Sequence, residues 1–312
     1  MNQVIAADAV PVGARQRVAQ PNRGGARDRW VRRLPLLPAL LFAIVVTQIP
    51  FLVTLYLSTL GWNALRPGER HFVGLGNYGQ VLTDARLRAA LVNTVVLTAS
   101  AVVVSVVLGL GLAILLDRKF PGRAVVRTML ITPFLVMPMA AALLWKHAIY
   151  NPAYGLINGL VGGHTDWVSN YPMAAVVATL VWQWTPFMML ILLAGLQSQS
   201  EDTLEAARVD GAGPWRIFTH MTLPHMRPYL ELGALLGSIY LVQTFDAVFT
   251  ITQGGPGTAT TNLPYEIYLT TFRKFEYGEA SAAGVIVVIL TIIVATFALR
   301  VISSLFRMEE GR

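Results

Sequence analysis

Residues 34–60 carry no charged side chain, and five further stretches of the chain are nearly as apolar. Crossing a bilayer core takes roughly 20 apolar residues in a helix, because in hydrocarbon a backbone must satisfy its own hydrogen bonds. Residues 89–116 form a second such run, between Arg88 and Asp117, and 128–145 a third, between Arg127 and Lys146. A fourth lies within Pro172–Gln197. The fifth, 228–252, holds Glu231 at its start and Asp246 near its end; the sixth, 280–298, stops just before Arg300. These runs predict an all-α polytopic membrane protein with six transmembrane helices. Composition agrees: 54% of residues are hydrophobic and 13% charged, about half the charge that typical soluble domains carry. With no cysteine in the chain, disulfides, thiolate metal sites and cysteine nucleophiles are excluded.

The basic residues orient the bundle. Six spans put both termini on one side, and the connections on that side hold seventeen of the 24 Lys and Arg. The positive-inside rule therefore predicts cytoplasmic termini, with the +7 net charge facing anionic lipid rather than nucleic acid. Seven arginines lie in residues 1–33, which read as a disordered basic cytoplasmic tail. Residues 34–306 are expected to form the six-helix membrane bundle, and 307–312 a short cytoplasmic tail. The first span is too long for a cleavable signal and reads as a signal anchor.

Proline is expected to interrupt two spans: Pro133 and Pro138 the third, and Pro186 the fourth, beside Trp182, Gln183 and Trp184. A proline frees a backbone carbonyl, which hydrocarbon tolerates only where protein or cavity water satisfies it. Gly109, Gly111 and Ala113 give the second span a small-residue face for close helix approach.

The connection 198–227 reads SQSEDTLEAARVDGAGPWRIFTHMTLPHMR. Asp202 with Glu205 three residues on predicts a capping box. Gly211 suits a left-handed stop, and Pro214 the first turn of a second helix, which Pro224 is expected to end. The expectation is a helix–turn–helix knob outside the bilayer.

Here the chain resembles a known family. Glu205-Ala206-Ala207, then Asp210-Gly211 and Leu223-Pro224, is similar to the EAA loop of ABC importer permeases, with Met221 where isoleucine is usual. The resemblance spans residues 34–306 and implies a type I importer permease whose loop is a coupling helix docked on a cytoplasmic ATPase. Phe72-Val-Gly-Leu-Gly-Asn77-Tyr78, Asn151-Pro152 to Asn158, and Thr252-Gln-Gly-Gly-Pro256 resemble the carbohydrate-uptake, maltose-type branch. The segments 131–138 and 254–262 look most like sorbitol/mannitol permeases. The implied partners are a second related permease, two ATPase subunits carrying ATP and Mg²⁺, and a periplasmic or lipid-anchored solute-binding protein, all at a bacterial inner membrane.

The chain itself is expected to bind no cofactor. It has no Gly-x-x-x-x-Gly-Lys-Ser/Thr segment, no metal-spaced histidine pair and no catalytic cluster. Candidate pathway residues are Gln183, Tyr240 and Gln243, whose amides and phenol suit sugar hydroxyls, and Trp182 and Trp184, which could stack on a carbon skeleton. Asp246 joins them, since an intramembrane carboxylate is costly without a role; structural hydrogen bonding is the alternative reading. Span interiors without Lys or Arg favour a neutral polyol or sugar over an anion. The rival reading, an ATP-independent carrier or channel, calls for coupling charges and repeated halves, and leaves the knob without a role.

Overall fold

A computed structural model describes residues 37–310. The predicted tail at 1–33, the start of the first span and the last two residues lie outside the described residues. The chain divides into two compact units at Leu52 and Val53.

The first apolar run is helix α1, Leu37–Ser58. Past it, β1 (Leu60–Gly61) pairs antiparallel with β2 (His71–Phe72) and leads to α2, Gly76–Thr83. The Asn77 amide donates to the carbonyls of Ser58 and Leu60, both at 2.8 Å, and so closes the end of α1. Asp84 then caps α3, Ala85–Asp117, by accepting from the backbone of Arg86 and Leu87.

The third run does not form one helix. It consists of α4 (Arg123–Leu135) and α5 (Pro138–Leu144), the latter continuing into a π-helical turn at Trp145–Ile149. The two halves are bent by 99°. Pro138 stands in the first turn of α5, so the chain turns at Val136 and Met137 just ahead of it.

Short helices α6 (Leu156–Val161) and α7 (Trp167–Asn170) lead to α8, Pro172–Gln197, which runs unbroken through Pro186. The expected interruption there is absent. Pro186 is buried, and packing around it keeps the helix continuous despite one missing hydrogen bond. Against α8 lies α3, whose Gly109 sits so close that a Cβ would fall 2.8 Å from that of Met188.

Helices α9 (Glu201–Val209) and α10 (Pro214–Ile217) form the knob. Pro224 does not end the second one. A π-helical turn at Phe218–Thr222 carries α10 into α11, Leu223–Leu241. The wider register of that turn relieves the clash a proline ring makes with the carbonyl four residues back. The fifth run is thus not a single helix: α11 stops at Leu241, and a second short piece ends in a π-helical turn at Val248–Thr252. Helices α12 (Leu263–Phe272) and α13 (Tyr277–Glu310) complete the chain.

Among the described residues, α1, α3, α8 and the first part of α13 are long and apolar enough to cross a membrane, and the bent pair adds a fifth crossing if counted as one span. Core residues of α3, α8 and α11 such as Leu97, Val176, Leu180 and Ala234 pack together with Val248 and Ile251.

Candidate functional site

The knob is built from backbone chemistry. Helix α9 ends in a full Schellman motif: the Ala212 N–H reaches the Ala207 carbonyl at 2.9 Å and the Gly211 N–H that of Arg208 at 3.1 Å. Gly211 has φ +82°, the left-handed geometry that glycine adopts without steric cost. At the other end the expected capping box does not form. The chain enters the helix at Ser200, two residues before Asp202, and no side chain caps it. Glu201 and Asp202 sit in the first turn instead, where negative charge meets the positive helix end.

Glu205, Ala206, Asp210 and Gly211 are exposed on this knob, while Ala207, Leu223 and Pro224 are half-buried. Two apolar side chains escaped the motif-based reading: Val209 is 87% and Trp215 76% exposed. Large apolar groups held out on a rigid element mark an interaction surface. Their signal in the sequence was an apolar residue flanking Gly211 on each side, away from any span.

The six pathway candidates fall into separate environments. Gln183 is buried, 5% exposed, and its Nε2 donates at 3.0 Å to the Val136 carbonyl at the 99° bend. It satisfies a carbonyl that the break leaves without a helical partner. Trp184 stacks on Tyr240 with centroids 5.5 Å apart, and meets Phe134 edge-on at 5.6 Å. Tyr240 is 56% exposed, so this aromatic wall opens away from the chain's own core. Gln243, also exposed, turns its amide back to the Ile239 carbonyl.

Trp182 points elsewhere. It lies edge-on to Trp145 at 5.7 Å and lines a cavity of about 800 Å³ with Val104, Leu108, Met129 and Pro133. The two tryptophans therefore do not form one clamp. Asp246 is half-exposed, two residues before the π-helical turn at Val248–Thr252, and its neighbour Phe245 stacks on Phe249 at 5.2 Å.

A further group, Lys146, was read from sequence only as the boundary of a span. Its Nζ donates at 2.7 Å to the Thr250 carbonyl, joining the π-helical turns at Trp145–Ile149 and Val248–Thr252. A cation at carbonyls left over by a helix end is a favourable pairing. Beyond it, Asn93 holds the 254–262 loop by donating to the Thr258 and Thr261 carbonyls. Asn158 ties its own loop by donating to the Thr165 carbonyl while accepting from the Trp167 indole at 2.8 Å. Among the described residues no group of His, Asp and Glu has the arrangement of a metal site.

Residues 105–308 match the family model for the binding-protein-dependent transport system inner membrane component. A probable ABC transporter permease protein of Sinorhizobium fredii is 35% identical over 286 residues, 88% of this chain and 92% of that protein. The trehalose transport system permease protein SugA of Mycobacterium tuberculosis is 34% identical over 270 residues, 85% of this chain and 87% of the relative. In fold, the chain is similar to a chain of a crystallised bacterial ABC transporter that imports the polysaccharide alginate. The TM-score is 0.74 at 18% identity, covering 89% of this chain and 96% of that one.

Proposed function

The chain belongs to the binding-protein-dependent transport system inner membrane components and is a permease subunit of an ABC sugar importer; we propose that it couples to a separate ATPase through α9 and passes a neutral carbohydrate along the Trp184–Tyr240 wall. The observation that carries the reading is the knob. Its backbone is closed at Gly211 by a Schellman motif and leaves Glu205, Val209 and Trp215 exposed, which suits a docking cleft and has no use in a carrier that works alone.

In this reading the knob and both termini are cytoplasmic, and α11 supplies the sixth crossing. A second, related permease provides the other half of the pathway, and ATP with Mg²⁺ is bound by two ATPase subunits. A solute-binding protein delivers the substrate on the opposite face. The aromatic wall gives a sugar or polyol its apolar contact, and Gln243 and Tyr240 offer hydrogen bonds to hydroxyls. Trehalose transport by a relative supports a sugar; the resemblance at 131–138 and 254–262 supports a polyol. The substrate class stands as neutral carbohydrate.

The test is reconstitution of this chain with its partner permease, ATPase and binding protein in liposomes. ATP-dependent uptake of a polyol or disaccharide that stimulates hydrolysis is the expected outcome. Uptake by this chain alone in liposomes without ATP would overturn the reading.

A further inference from the structure

The knob hangs between the end of α8 and the start of α11, and these two ends meet. Ser198 directly follows α8, and three hydrogen bonds converge on its hydroxyl. It donates to the Gly195 carbonyl at 2.7 Å, receives the Tyr229 hydroxyl at 2.8 Å and lies 2.9 Å from Nε2 of His225. A serine hydroxyl has one proton and two lone pairs. With the proton on Gly195, both lone pairs are filled only if His225 carries its proton on Nε2. That assignment follows from the network.

Behind this hub the Gly195 backbone packs directly against the side chains of Tyr229 and Met226. A Cβ added to Gly195 would fall 2.6 Å from Cγ of Tyr229 and 2.9 Å from Sδ of Met226. His225 and Tyr229 stand one turn apart on the same face of α11, ring centroids 6.2 Å apart. The hub therefore joins positions 27 and 31 residues distant along the chain.

We propose that Ser198, His225 and Tyr229 are positioning residues that close the coupling loop at its root, so that a displacement of α9 reaches α8 and α11 together. The proposal rests on the reading that α9 docks on an ATPase. Along the covalent chain the two routes out of the knob are unequal. Toward α11 the path crosses the Schellman turn at 210–213, closed by its own backbone hydrogen bonds, and is helical from α10 onward across the π-helical turn at Phe218–Thr222. Toward α8 it crosses Ser198, Gln199 and Ser200, which lie outside both helices. A push on α9 would bend that short link and leave α8 behind. The hub bridges it, and turns a hinged loop into a closed one. Ser198 is exposed and His225 and Tyr229 half-buried, so the hydrogen bonds add little to stability, and their use lies in geometry.

The experiment compares substrate molecules imported per ATP hydrolysed, in the complete transporter, with the melting temperature of the same complex. Ser198→Ala is expected to lower that ratio about five-fold, the factor that one ordinary hydrogen bond represents, with the melting temperature unmoved. His225→Leu should behave likewise, whereas His225→Gln, which keeps an N–H donor, should restore the ratio. Ser198→Ala combined with His225→Leu should be no worse than Ser198→Ala alone. A wild-type ratio in Ser198→Ala, or a ratio equally low in His225→Gln and His225→Leu, would overturn the proposal while leaving the importer reading intact. Absence of ATP-dependent uptake by the unaltered complex would overturn both.

Discussion

The knob and the 99° bend perform opposite kinds of structural work. The knob is local: α9, the left-handed Gly211 and α10 lie within seventeen residues, and their geometry comes from caps and turn chemistry. The bend is assembled from afar. Its freed Val136 carbonyl is met by Gln183, 47 positions on, and Phe134 beside it meets Trp184, which stacks on Tyr240 of another helix. A region specified by adjacent residues can keep its shape while it moves as a unit. A region specified by distant ones changes whenever its helices shift, and that is what a transport pathway requires.

The contrast can be broken from either side. The largest effect is expected from Gly211→Val, which forces a β-branched residue to φ +82° at a cost of about 2 kcal/mol. It should abolish substrate-stimulated ATPase activity in the reconstituted complex while α3 and α8 stay folded by hydrogen exchange. Next comes Gln183→Leu. It leaves the Val136 carbonyl unpaired at roughly 1–3 kcal/mol, and should lower the melting temperature of the purified subunit without weakening its association with the ATPase. Tyr240→Ala removes the exposed partner of Trp184. The substrate concentration for half-maximal uptake should rise about five-fold, from an aromatic contact near 1 kcal/mol. The smallest change is expected from Asp202→Ala. Since no capping box forms, only a dipole contact of about 0.3 kcal/mol is lost, and coupling should be nearly unchanged; a large loss would show that the cap forms in the assembled transporter.

The same contrast explains what could be read in advance. Gly211 and Pro214 were legible as a turn and a helix start because their backbone preferences act within a few residues. The capping box failed because Asp202 and Ser200 are both good N-terminal residues, and the choice between them depends on where α8 releases the chain. Pro224 misled for a related reason: a proline breaks a plain α-helix, but not one whose preceding turn has a wider register. Apolar run length located the four long apolar helices and the bent pair, yet it could not see that residues 228–252 divide at Leu241 or that Pro186 stays within an unbroken helix. Trp182 and Trp184 are both stacking candidates by residue type, although residues two apart in a helix do not share a face. Lys146 and the Ser198 hub depend on partners 104 and about 30 positions away, which no local pattern encodes.

The π-helical turn at Phe218–Thr222 sits on the line between the knob and α11. A π-helical turn holds one residue more than an α-helix would over the same rise, and each residue of an α-helix turns its neighbours by about 100°. Removing a single residue there would let the helix run on as plain α, and would swing Glu205, Val209 and Trp215 about a quarter-turn around the axis of α11. The extra residue acts as a phase adjuster. It lets the direction of the knob and the face that α11 turns to the bundle be set independently.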